Sequence, residues 1–246
     1  MRRLLFASIA ILASACSNNS SQPGDAGGSD SALPDSAPTD AAAEAAPYLP
    51  AGYTQMSFLS DTPIHSFKGD GGGAPQQVID SSHDYVGVLE TDAGRIVMHL
   101  LSQVAPITVN SFVFLVLNHF YDGIAFHRVI DQFVAQGGDP NTISGPRNTW
   151  GNGGPGYSFG LEVNAAYNYD DAGVVGMART QDPNSNGSQF FIELQGCDCS
   201  NLNQQYTIWA DVIEGLDVLP LIARSDDAGN APATPTRIQS AYIGMK

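Results

Sequence analysis

The stretch "FHRVIDQFVAQGGDP", Phe126 to Pro140, sets one arginine inside an apolar, strand-like run and ends on Gln136-Gly137-Gly138-Asp139. Alternate side chains of a strand share a face, so Arg128, Ile130, Val134 and Gln136 fall together. Phe133 joins them only if a bulge intervenes at Asp131-Gln132. A lone arginine in a strand is ordinarily solvated or ion-paired. Here its face also carries Gln136, and Gly137-Gly138 permits close backbone approach, which marks that face as a candidate site.

The same pattern of short apolar runs split by turn residues extends along the chain. Upstream, "YVGVLET" and "GRIVMHLL" flank Asp92-Ala93-Gly94, which is hairpin chemistry. Pro106 suits a helix start, the apolar run to Leu117 is long enough for a buried helix, and Gly123 is its stop. Downstream, "YSFGLEV", "GVVGMAR", "SQFFIEL" and "YTIWADVI" read as short strands, and "TRIQSAYI" as a closing strand. "GLDVLPLIAR" reads as a second helix, with Pro220 an awkward resident. Many antiparallel strands and two helices, without βαβ alternation, predict a mainly β fold, a closed barrel capped by two α-helices. In "GMARTQDPNSNGSQFFIEL", Gly176 to Leu194, Phe190 and Phe191 point to opposite faces: one belongs to the core, and the other is either a surface accident or the floor of an apolar pocket.

The chain has 246 residues, 43% of them hydrophobic, enough for one sizeable core. Its formal charge of -15 and pI of about 4.3 repel phosphate backbones and exclude nucleic acid as a natural partner. Three cysteines, Cys16, Cys197 and Cys199, are too few for a disulfide framework. The opening "MRRLLFASIAILASAC" has a basic n-region at Arg2 and Arg3, an apolar h-region from Leu4 to Leu12 and a small-residue cleavage site at Ala13-Ser14-Ala15, so residues 1–15 read as an export signal. Cys16 resembles the lipidated cysteine of bacterial lipoproteins, although Ala13 stands where those signals usually carry Leu; ordinary secretion is the alternative. Ser17 after the cysteine resembles an outer-membrane sorting signal. Residues 16–47, rich in Ser, Ala, Asp and Pro, read as a disordered acidic tether. Residues 48–82 form an N-terminal extension without an assigned role, and residues 83–246 the functional domain.

The motifs "FYDGIAFHRVI", "FVAQGGDP", "GNGGPGYSF", "GMARTQDPNSNGSQFFIEL" and "YTIWADVIEGLDVL" resemble, in order and spacing, the signatures of the cyclophilin-type peptidyl-prolyl cis-trans isomerases. The resemblance covers about residues 80 to 243. It implies a closed eight-stranded antiparallel β-barrel capped by two α-helices and an enzyme that rotates Xaa-Pro bonds; a Pro-segment binding module with little turnover is the alternative. By the same resemblance Arg128 is the catalytic arginine and Gln136 orients it. Phe133, Val134, Phe191 and Leu202 are pocket walls, with Val134 in place of a usual Met. Ala178 and Arg179 offer backbone contacts to substrate, Gln189 keeps its place in the site, and Tyr206 stands where eukaryotic members carry a pocket histidine. Asn201 replaces a tryptophan that contacts cyclosporin in the family, which implies weak binding of that inhibitor. Asp131-Gln132 replaces Pro-Gly, and "LNQQY" lacks the usual glycine.

Rotation about an Xaa-Pro bond breaks no bond, so neither a nucleophile, a cofactor nor a metal is required; the uncatalysed barrier is about 18–20 kcal/mol. The partners expected are Pro-containing polypeptides and, through Cys16, a membrane; the protein is expected to act as a monomer. The five histidines show no metal-ligand spacing, and "GNGGPG" does not join a strand to a helix, so phosphate binding is not expected. Cys197-Asp198-Cys199 is open to three states: a small disulfide, a weak metal site or two free thiols.

Overall fold

The computed structural model describes residues 47–67, 75–226 and 229–246. The export signal, Cys16 and the tether up to residue 46 lie outside the described residues. Among the described residues there are nine strands: β1 (Thr54–Gln55), β2 (Tyr85–Thr91), β3 (Gly94–Leu100), β4 (Arg128–Val129), β5 (Val134–Gly137), β6 (Val174–Met177), β7 (Phe190–Glu193), β8 (Ile208–Glu214) and β9 (Ile238–Met245). They form one antiparallel sheet in the order β1-β9-β2-β3-β8-β6-β7-β5-β4.

This corrects the expectation of a closed eight-stranded barrel. The strand ladder ends at β1 and β4, and an isolated bridge, Ala125 with Arg237, links the segment before β4 to the one leading into β9. Two features keep the ladder open. The N-terminal extension supplies an additional strand, which takes one end of the free edge of β9, Thr54 opposite Met245. At the other end β4 is only two residues long, because the chain turns back at once into β5.

The β2–β3 hairpin forms as expected, with Thr91 opposite Gly94 around Asp92-Ala93. Helix α1 spans Pro106–Leu117, starts on Pro106 and buries most of its residues. Phe112 meets Trp209 at 4.6 Å and Tyr121 at 5.2 Å between ring centroids. No side chain of its own caps the helix. Glu162 does so from a distant loop, accepting the Ile107 N–H at 3.1 Å and the Thr108 N–H at 2.8 Å, where the first-turn donors and the helix dipole favour an anion. The helix ends six residues before Gly123, at Asn118 and at His119, whose φ is 55°.

The expected second helix over 215–224 is replaced by a 3₁₀ turn at Leu219–Leu221. Pro220 has no N–H for an α-helical bond and Gly215 holds φ 92°, so the run cannot propagate. The second α-helix, α2, is a four-residue turn at Asn141–Ser144.

The extension packs on this frame. The Leu59 N–H donates to the Leu117 carbonyl at 2.7 Å and the Ile64 N–H to the Asn118 carbonyl at 3.0 Å, satisfying groups that the end of α1 leaves without helical partners. Phe67 then lies 5.0 Å from Phe114.

Candidate active site

Arg128 and Gln136 share a face, but not as neighbours along one strand. The stretch from Phe126 to Pro140 contains a hairpin, β4 paired with β5, in which Arg128 lies directly opposite Gln136. The turn between them runs from Ile130 to Phe133, closed by the Phe133 N–H on the Ile130 carbonyl at 3.1 Å. Gln132 takes φ 54°, the left-handed position that a glycine would occupy without strain. Asp131 is ion-paired to Arg224 outside the turn. The turn therefore does what the expected bulge was required to do. Phe133 swings back under the guanidinium, whose carbon lies 5.5 Å from the ring centroid.

The opposite wall comes from β7. Phe190 is fully buried in the main core, whereas Phe191 belongs to a second apolar cluster with Val134, Leu202 and Ile208, against which Phe133, Ala178 and Tyr206 pack. Of the two readings for the second phenylalanine, the pocket is therefore the one realised. The Phe191 ring meets Tyr206 edge-on at 5.6 Å and Tyr169 at 5.5 Å. Gly176 pairs with Phe191, and a Cβ there would lie 2.3 Å from Phe191 Cζ and 2.2 Å from the Tyr169 hydroxyl, so only glycine lets the ring lie down. The missing glycine of "LNQQY" is answered as at Asp131-Gln132: Gln204 adopts φ 57° and the Gln205 N–H closes the turn on Leu202. Tyr206 is then sandwiched, with the Arg179 guanidinium 4.9 Å from its centroid on another side.

A chain of amides fixes the polar edge. Arg128 donates to Gln136 Oε1 at 3.5 Å, Gln136 Nε2 donates to Gln189 Oε1 at 3.0 Å, and Gln189 Nε2 donates to the carbonyls of Gly151 and Gly153 at 3.0 and 2.8 Å. The far end is anchored by a residue to which the sequence reading gave no role. Asp139, fully buried, accepts the N–H groups of Asn141, Gly151 and Gly153. Its signal was the "GGDP" that precedes a second glycine-rich loop: a short acid among mobile backbones is an acceptor for their N–H groups. Gly138, at φ 88°, lies so close to the Ser188 carbonyl that a Cβ would approach it to 2.2 Å. Between Gln136, Gln189, the 151–155 loop and Ala178–Thr180 lies a groove of about 300 Å³. The Ala178 N–H is spent on the Gln189 carbonyl at 2.8 Å. Arg179 Nε is likewise spent on the Gln205 carbonyl at 2.8 Å.

Arg128 stands out electrostatically. It is half-buried, burial lowers its pKa from the ordinary value while Tyr206 opposes that shift, and it ion-pairs with no carboxylate among the described residues. A guanidinium stays protonated under these conditions. The site thus holds a partly desolvated, uncompensated cation beside an apolar pocket. Cys197 and Cys199, left open above, are joined in a disulfide next to this pocket, and Cys199 packs in the same apolar cluster as Phe191 and Leu202.

A family profile described as "Cyclophilin type peptidyl-prolyl cis-trans isomerase/CLD" matches residues 86–243. Peptidyl-prolyl cis-trans isomerase ppi1 of Schizosaccharomyces pombe is 36% identical over 155 residues, 62% of this chain and 95% of its own. Peptidyl-prolyl cis-trans isomerase A of Mycobacterium tuberculosis is 36% identical over 173 residues, 63% of this chain and 90% of its own. The crystal structure of a Cryptosporidium parvum cyclophilin type peptidyl-prolyl cis-trans isomerase superposes with a TM-score of 0.58 at 28% identity, covering 65% of this chain and 97% of that one. A second crystal structure of that protein, in the presence of the dipeptide Ala-Pro, gives 0.57 at 29% identity and covers 64% and 98%. The chain belongs to the cyclophilin-type peptidyl-prolyl cis-trans isomerase family, and its activity is that of a peptidyl-prolyl cis-trans isomerase.

Proposed function

We propose that Arg128 and the pocket of Phe133, Val134, Phe191, Leu202 and Tyr206 form the isomerase site, and that its substrates are Xaa-Pro segments of exported polypeptides. The observation that carries this reading is the uncompensated Arg128 guanidinium held against the Phe133 ring beside the apolar cluster. A proline ring fits such walls, and the related structure obtained in the presence of Ala-Pro supports the substrate class. As the Xaa-Pro amide twists, conjugation is lost and the proline nitrogen regains its lone pair. Arg128 would donate toward that nitrogen. Because the cation is already in place and partly desolvated, its donation strengthens as the lone pair develops, and catalysis is binding that favours the twisted amide over both planar forms. Gln136 holds the guanidinium through Oε1 and is itself fixed by Gln189. Ala178, with its N–H committed, offers its carbonyl to the substrate backbone.

Both glycine-less turns are made, with Phe133 and Tyr206 at the pocket, which removes the ground for a binding module without turnover. The test is exchange NMR on a short Ala-Pro peptide with the full chain and with Arg128→Ala. Catalysed exchange is expected from the former and an approximately hundredfold loss in kcat/KM from the latter. Equal rates would sink the assignment of Arg128.

The same reading places the chain in the cell envelope, exported by residues 1–15 and held by a lipid on Cys16. A disulfide at Cys197–Cys199 suits an oxidising compartment. Labelling with a fatty-acid probe that is lost in Cys16→Ser tests the anchor; equal labelling of the two chains overturns it.

A further inference from the structure

An open cleft on the β7 side of the domain is lined by Asp170, Asp171, Glu193, Cys197, Asp217 and Arg224, among others. Its one basic residue is committed to Asp131, so the cleft presents an acidic face. Glu193 is the anomaly. It is 2% exposed, and its Oε2 is enclosed with no hydrogen-bond partner among the described residues. A buried carboxylate without a partner is costly, and the described part of the chain supplies neither an arginine nor an N–H to relieve it. What it does supply is sulfur: a carboxylate oxygen of Glu193 and the sulfurs of Cys197 and Cys199 all lie within 4.8 Å of one another.

We propose that, once the Cys197–Cys199 disulfide is reduced, the two thiolates and the Glu193 carboxylate bind one thiophilic divalent cation of the Zn²⁺ type, with its fourth position open to the cleft. The geometry suits it. Tetrahedral Zn²⁺ takes Cys sulfur at about 2.3 Å and carboxylate oxygen at about 2.0–2.2 Å, which puts ligand atoms roughly 3.5–3.8 Å apart. The oxygen lies within 4.8 Å of both sulfurs, so closing to that spacing takes at most a shift of about an ångström, and opening the disulfide lets the sulfurs separate over a Cα–Cα distance of 5.2 Å. A hard cation such as Mg²⁺ or Ca²⁺ would be served by oxygen donors, not by thiolates. The acidic cleft supplies the approach, since negative charge concentrates cations at its walls.

The chemistry balances. A dithiol reductant gives two electrons and two protons to the disulfide, leaving two Cys thiols and the reductant as its own disulfide. The cation then displaces both thiol protons to solvent. The disulfide and the metal are thus alternative occupants of the same pair of sulfurs.

The test uses the full chain, disulfide-bonded or reduced with a phosphine, which leaves no competing thiol, and titrated with Co²⁺ alone and then Zn²⁺. The expected result is one equivalent of Co²⁺ with a thiolate-to-cobalt charge-transfer band in the reduced chain, its displacement by Zn²⁺, and no band in the disulfide-bonded chain. Glu193→Gln, nearly isosteric, should weaken binding at least tenfold while its circular dichroism stays that of the parent. Cys197→Ser/Cys199→Ser should abolish the band. Absence of a band in the reduced parent overturns the proposal. So does a band that survives the double serine change, or one equally tight in Glu193→Gln.

Discussion

Replacing Glu193 with glutamine is expected to remove a pH-dependent loss of stability. Burial, reinforced by Asp170 and Asp171, pushes the Glu193 carboxyl from its ordinary 4.5 up to about 7. The folded chain therefore holds a proton that the unfolded chain releases between those values. A raised pKa in the fold means that its stability is fully present below pH 4.5 and is lost as the pH rises toward 7, after which the loss is constant. At about 1.36 kcal/mol per pH unit this window corresponds to about 3 kcal/mol. Glutamine carries no proton to lose. The difference in stability between Glu193→Gln and the parent should accordingly move by about 3 kcal/mol in favour of the variant between pH 4.5 and pH 8. Equilibrium urea unfolding at both pH values, with the disulfide intact and a chelator present, reads this directly. With a urea slope of about 1–3 kcal/mol per molar, the relative midpoints should move by about 1 M or more. Taking the difference between the two chains cancels the other titrating groups, including Asp122 and Asp211, which burial also raises. If the difference is the same at both pH values within about 1 kcal/mol, Glu193 is solvated or partnered, and both this reasoning and the unsatisfied-carboxylate argument for the cation site fail.

Three further outcomes are expected. Gln132→Gly and Gln204→Gly should each stabilise the fold by about 0.5–1 kcal/mol, because left-handed strain of about 1–2 kcal/mol is relieved while glycine's extra freedom in the unfolded chain costs about 0.5–1; a destabilisation in thermal melts would show that neither turn is strained. Asp139→Asn places an amide N–H₂ against backbone N–H donors and should cost about 2–3 kcal/mol of stability; it should also lower kcat/KM by freeing the loop that holds Gln189, and unchanged urea midpoints would contradict the anchor. The isomerase rate should stay flat between mild acid and mild base, since Arg128 remains charged and burial moves the pKa of neighbouring His127 downward, away from that range; a steep bell-shaped kcat/KM profile would point to a titrating catalyst instead.

The legibility of the sequence divides along physical lines. Hairpin chemistry at Asp92-Ala93-Gly94 located β2 and β3, and the opposite facing of Phe190 and Phe191 put one of them in the core while leaving the other open between pocket floor and surface. Strand parity joined Arg128 to Gln136 by the wrong route: the two residues face each other across a hairpin whose turn has no glycine or proline to announce it. Pro220 was a visible warning against the second helix, and the loss of that helix follows from its missing N–H. Closure of the barrel was not legible because it depends on which segment reaches the free edge of β9, a contest between residues far apart in the chain. Asp139 and Glu162 escaped notice for the same reason, since each acts on backbone groups brought to it by the fold. The resemblance named the site residues, but it could not show that Glu193 would be stranded beside the two cysteines.

The pairing of Thr54 with Met245 brings the point where the chain enters this domain within one strand spacing, about 4.8 Å, of the point where it leaves. The Lys246 side chain lies against Gly52, and its Nζ is 5.8 Å from the Tyr53 ring. Rejoining Lys246 to Pro47 through a short Gly/Ser linker, and reopening the chain in the exposed stretch at Ala165–Ala166, would preserve every strand pairing. The domain is by this geometry a cassette with both leads on one edge. It can be spliced into a host loop as readily as it can be hung from a tether, and circular permutation of it should leave the isomerase site intact.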